Sequence, residues 1–171
     1  VTVKGDDGTP VHWPIACVPW WLEATGAPDL GSWQTVHEVL AQAFDTWSAV
    51  PEQYVRFAPQ GATCFDDAGP ADWPGPQNIV VFRQAPDTWP HTAPVIALTS
   101  LTYDPRTAVI VDADIEINAV DHSFSLDAAA DRYDLLATVT HEVGHVLGLA
   151  HSTDAGAAMF ARAALGEDTK R

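Results

Sequence analysis

The sequence predicts an α+β fold of five strands and two long helices, on three observations. The chain has 171 residues, 47% of them apolar and 18% charged. That composition suits one packed core at the ~100–200 residues of a usual domain. Apolar residues recur in steps of three and four over two stretches, which is the period of one helix face. The remaining apolar runs are short, β-rich and bounded by Pro, Gly and Asp, with no linker and no internal repeat. Residues 1–171 therefore read as one domain.

The elements follow in order. Val11–Trp21 is apolar and β-rich, is broken by Pro14 and Pro19, and reads as the first strand. Gly26 to Gly31 is a turn. From Ser32, the residues Trp33, Val36, Leu40, Ala43, Phe44 and Trp47 mark one face of a helix that Pro51 stops. Tyr54–Phe57 reads as a short strand and Pro59–Gln77, rich in Gly, Pro, Ala and Asp, as a long loop. Asn78–Arg83 is a buried strand, and Gln84–Pro94 is a second loop. Val95–Tyr103 and Thr107–Asn118 are two strands around the turn at Asp104 to Thr107. A second helix runs from about Asp131 to Leu147, where Gly148 breaks it, and the rest to Arg171 is loop-like.

Charge narrows the partners. Twenty-three acids stand against eight Lys and Arg, a net charge of −15. Nucleic acid needs a basic surface, and the sequence has none to offer. The same field argues against anionic membranes, and no apolar run nears the ~20 residues of a membrane span. Val1–Thr9 is polar and unlike a signal peptide. Cys17 and Cys64 could form one disulfide, which would suit an exported protein; two buried free thiols are the alternative.

Residues 141–151 read His-Glu-Val-Gly-His-Val-Leu-Gly-Leu-Ala-His. His141 and His145 are four apart, so a helix projects both rings from one face. Leu135, Val139, Val143 and Val146 form the opposite, core-facing stripe. Two imidazoles do not complete a catalytic zinc site, which takes three protein ligands and keeps a fourth position open. Gly148 permits a sharp left-handed turn, after which His151 can return as third ligand. Glu142 follows the first ligand and can reach a bound water. Five fixed positions in this register recur by chance on the order of once in 10⁵ chains of this size, so coincidental histidines are the weaker reading. A purely structural zinc would want a fourth protein ligand, and no Cys lies near.

This H-E-x-x-H-x-x-G-x-x-H segment resembles the active-site helix of metzincin zinc endopeptidases. Ser152 after the last His, and Met159 eight residues on within Ala157-Ala158-Met159, resemble the matrixin branch and its Met-turn. Ala43–Val50 and Val95–Asn118 resemble the family's first helix and its fourth and fifth strands, in a manner closer to bacterial relatives. The resemblance implies a five-stranded twisted mixed sheet on two helices. It also implies a zinc cleft, and a small lower lobe, 149–171, beneath an upper lobe, 1–148. A substrate would lie antiparallel to the edge strand around Ala97–Thr102, with Leu98 and Thr99 in contact, and Met159 would support the site from below. Phe160-Ala161-Arg162 follows the Met-turn where animal members usually carry a Pro, so Phe160 and Arg162 become candidates for the pocket wall. No histidine cluster matches the family's second, structural zinc site: His91 and His122 stand isolated and read as surface or hydrogen-bonded residues. Matrixins normally close with another helix, which twelve residues after Met159 do not announce.

Two acidic groups could take a hard cation, and the family often binds calcium. Asp112, Asp114 and Glu116 alternate along one strand and so share a face; Asp66, Asp67 and Asp72 cluster in a loop. A solvated acidic face, or carboxylates hydrogen-bonded to turns, is the plainer reading of both. The sequence thus points to a secreted, monomeric zinc endopeptidase that cuts proteins or peptides. In that reading His141, His145 and His151 hold one Zn²⁺ and Glu142 activates its water. A protease-shaped module that binds peptides without cutting them is the alternative, against which the intact Glu142 weighs.

Overall fold

The computed structural model describes residues 1–66 and 77–171. The elements are β1 (Cys17–Glu23), α1 (Trp33–Ser48), β2 (Arg56–Thr63), β3 (Ile79–Arg83), β4 (Ala97–Asp104), β5 (Val109–Asn118), β6 (Phe124–Ser125), β7 (Tyr133–Asp134) and α2 (Leu135–Val146). Five strands form one mixed sheet in the order β2-β1-β3-β5-β4. β1 runs parallel to β2 and β3, and β3 parallel to β5; β4 is antiparallel to β5 and forms the far edge. The fold is α+β, as the sequence predicts. No helix among the described residues is long and apolar enough to cross a membrane.

The helices pack by the stripes their periodicity announces. Val36, Leu40, Ala43 and Phe44 of α1 are buried, and so are Leu135, Val139, Val143 and Val146 of α2. Trp20 of β1 stacks on Phe44 at 4.4 Å between ring centroids. Trp47 joins the two helices by donating its indole N–H to the Thr140 carbonyl at 2.7 Å. Each helix starts on a capping side chain: Ser32 accepts from Thr35 N, and Asp134 from Ala137 N. That cap delays α2 to Leu135, four residues after the expected start at Asp131.

β2 continues to Thr63, into the stretch expected to be loop. Pro59 is tolerated there because β2 is an edge strand, where a missing N–H costs no ladder bond. The strand expected over Val11–Trp21 begins only at Cys17; Val11 and Trp13 are buried without joining it.

The expected Cys17–Cys64 disulfide is absent, and both thiols are free and exposed. Cys17 opens β1 opposite Arg56, while Cys64 follows Thr63, which pairs with Glu23 at the other end of the strand. Six residues at about 3.3 Å each put the thiols about 20 Å apart, well beyond the ~7 Å limit for bridged Cα atoms.

Asp112, Asp114 and Glu116 are not a solvated face. All three are buried: Glu116 accepts from Arg83 Nε at 2.6 Å, and Asp114 from Ile79 N at 2.9 Å. Asp66 is exposed, and Asp67 and Asp72 lie outside the described residues. Burial pushes the Asp112 carboxyl up to about 6 from an ordinary 3.8. The folded state therefore holds a proton that the unfolded chain has released, and stability falls as pH rises from about 4 through 6. At 1.36 kcal/mol per pKa unit the loss is of order 1–3 kcal/mol. Asp112→Asn should remove it: thermal melts should show the variant more stable than wild type at pH 7.5, with the gap closing toward pH 4.

Candidate active site

α2 carries the site on the face it turns away from the core. Thr138, His141 and His145 line one cleft together with β4. The helix ends in a double cap: Leu149 N donates to Gly144 O at 3.0 Å and Gly148 N to His145 O at 2.8 Å, the pattern that closes a helix on a left-handed residue. Gly148 is that residue, at φ +81°. A side chain there would also strike Val11, so glycine is required on two counts. The turn brings His151 back beside the helix, its ring centroid 5.2 Å from His141 and 4.8 Å from His145. Backbone bonds from Val3 N to Gly148 O and from Ala150 N to Val1 O brace the returning chain.

The three imidazoles form a donor set that fits a metal. Their candidate ligand atoms all lie within 4.8 Å of one another. His141 Nδ1 is 2.7 Å from the Ala158 carbonyl and His145 Nδ1 2.7 Å from that of Leu149. Each Nδ1 must donate its proton to those acceptors, which leaves both Nε2 atoms bare, the tautomer a metal needs. His145 Nε2 and His151 Nε2 are 3.2 Å apart; two tetrahedral ligands at 2.0–2.1 Å from zinc would sit about 3.3 Å apart. Burial holds His141 down to about 4, and lowers His145 as well, so both rings are neutral near pH 7.

Glu142 lies beside this trio. It is buried, and burial pushes its carboxyl up to about 7, against the opposing pull of a hydrogen bond from Thr99. Thr99 stands on β4 and donates to Glu142 Oε2 at 2.6 Å. The sequence offers Thr99 as a substrate contact; its bond to Glu142 needs the strand and helix in place to be seen.

Met159 is buried under the site, and its carbonyl accepts from Ser152 N at 2.7 Å, directly after His151. It packs on Gly144, one of the variable positions between the first two histidines of the motif. A Cβ on Gly144 would clash with Met159 Sδ and lie 3.0 Å from Trp47 Cζ2. The legible signal was a glycine in mid-helix, which costs about 1 kcal/mol relative to alanine and so implies a close approach. Gly144→Ala should regain that amount and lose about 1–3 kcal/mol to overpacking. Trp47 is held by its bond to Thr140, so the loss should win. A lowered melting temperature together with weakened zinc binding is expected.

The cleft has a volume of about 540 Å³, and Leu98, Thr99, Phe160 and Arg162 all line it. Arg162 is exposed; the buried cation of that wall is Lys170, whose ammonium donates to Arg162 O at 2.7 Å and to Glu167 Oε2 at 3.0 Å. Nothing in the sequence marked Lys170. After Met159 the described chain forms no helix; it returns to α2, where Arg171 donates to both oxygens of Asp134.

The family model for the matrixin peptidases, Peptidase_M10, matches residues 20–170. The chain is a matrixin. Matrixins are zinc-dependent endopeptidases that act on proteins or peptides, and the His141, His145, His151 group gives this matrixin the donor set such a metal takes. No curated protein matches this matrixin closely.

Proposed function

We propose that His141, His145 and His151 hold zinc in the cleft, and that Glu142 is the general base for hydrolysis of a peptide bond there. The observation that carries the reading is three convergent imidazoles beside one buried carboxylate on the cleft wall. Zinc, when bound, supplies Lewis-acid chemistry and lowers the pKa of water at the site. Glu142 is placed to take a proton from the attacking water and to return it to the leaving amine. In the metal-free protein burial pushes this carboxyl up to about 7, and a cation held by the neighbouring histidines would draw it back toward the ionised form that a base needs. β4, an edge strand lining the cleft, offers free main-chain groups to an extended peptide, which would add to the sheet as a further strand.

The pocket beyond His141 favours an apolar residue just after the cut bond. Phe160 and Ala161 line it, and Lys170 is already neutralised by Glu167 and set over the Phe160 ring at 5.2 Å. A peptide-library digest should enrich Leu, Met or Phe at that position. Enrichment of Asp or Glu, lost in Arg162→Ala, would reassign the pocket to Arg162. The activity itself is tested by digesting casein with the zinc-loaded protein; cleavage that a chelator leaves untouched would rule the reading out.

A further inference from the structure

We propose that Thr99 is a positioning residue for Glu142, its hydroxyl holding one carboxylate oxygen so that the other receives the proton. The proposal rests on the peptidase reading above and deepens it.

The geometry is specific to one oxygen. Thr99 Oγ1 lies 2.6 Å from Glu142 Oε2 and 3.1 Å from the Glu142 carbonyl oxygen. A hydroxyl has one proton to give, and the shorter distance is that of a charge-assisted O–H···O⁻ bond. Among the described residues no other side chain donates to this carboxylate, and Oε1 has no protein partner. Glu142 lines the cleft. The terminal torsion of a glutamate is broad and roughly two-fold, so an unanchored carboxylate could turn either oxygen, or neither, toward a water. Thr99 removes that freedom. With Oε2 occupied by a donor, Oε1 is the oxygen left to accept a proton and to hand it on.

The location adds a second consequence. Thr99 belongs to β4, the strand on which an extended peptide would pair. One strand then aligns the substrate by its backbone and the base by a side chain. A shift of β4 when a peptide docks moves the base with it.

A merely structural clasp between β4 and α2 would show in stability; positioning of a base shows in turnover. The test compares Thr99→Val, which keeps the shape and loses the donor, with Thr99→Ser, which keeps the donor. Losing such a partner typically costs ~10–100-fold in activity. The expected result for Thr99→Val is a loss of that size in kcat, with KM within about twofold and one zinc still bound per chain. Thr99→Ser should recover most of the rate. Crystals of the zinc-free variants give a readout apart from activity: the Glu142 carboxylate should turn or lose order in Thr99→Val and stay in place in Thr99→Ser. Unchanged kcat in Thr99→Val, equal losses in both variants, or a carboxylate that holds its position without the hydroxyl would overturn the proposal. A wild-type protein that cuts no peptide would instead refute the peptidase reading, and the crystals would still decide whether Thr99 sets the carboxylate.

Discussion

Glu142→Gln should keep its fold and its zinc and lose at least 10²–10⁴-fold in kcat/KM, roughly what general acid–base catalysis contributes. The amide matches the carboxylate in shape, and its oxygen can still accept the Thr99 hydroxyl, so the helix and the cleft wall have no reason to move. What the amide cannot do is take up a proton near neutral pH. Because Glu142 is buried, the change also removes an ionisable group that the fold carries at a cost, and the melting temperature should hold or rise. The check is a rate measurement beside a melt and a metal count on the same preparation. Wild-type rates in the variant would remove Glu142 from the mechanism.

His151→Ala should abolish stoichiometric zinc binding. His141 and His145 are fixed by the helix and by their bonds to Ala158 and Leu149, and they should stay in place. They are only two ligands, and a zinc site of this type takes three from the protein. The loss of affinity should exceed the ~10–100-fold typical of removing an outer partner of a ligand. Zinc that binds only the folded state stabilises it by RT ln(1 + [L]/Kd), or about 2.7 kcal/mol at a hundredfold excess over Kd. The wild-type melting temperature should therefore rise on adding zinc, and that of His151→Ala should not. His151 is exposed, so the zinc-free stability of the two proteins should match closely. A variant that still binds one zinc per chain would mean that His151 is not the third ligand.

What was legible in the sequence was what is encoded locally. The spacing of His141 and His145, the glycine at 148 and the apolar stripe of α2 all sit within twenty residues, and helix periodicity links them without knowledge of the rest of the fold. α1 was legible for the same reason. The boundaries that moved depend on distant partners. β2 runs past Pro59 because it lies at the sheet edge, and that position is a property of strand order rather than of its own residues. α2 starts at Leu135 because Asp134 caps it while also binding Arg171 from the far end of the chain. The disulfide expectation failed because two cysteines in a sequence say nothing of which strand ends they occupy. The buried state of Asp112 was hidden too: alternation along β5 suggested a polar face, but from Asp112 to Asn118 both faces of the strand are covered. Within the site, the contacts that escaped were those that cross between elements, Thr99 to Glu142 and Gly144 to Met159.

The central claim, that this matrixin cuts peptide bonds with zinc held by the three histidines, is tested most directly by titrating zinc into the chelated protein while following cleavage of a quenched peptide. The rate should be negligible at the start, rise in proportion to added metal and level off at one zinc per chain. Cleavage that persists in the metal-free protein, or one tightly bound zinc per chain with no cleavage of any peptide or of casein, would contradict it.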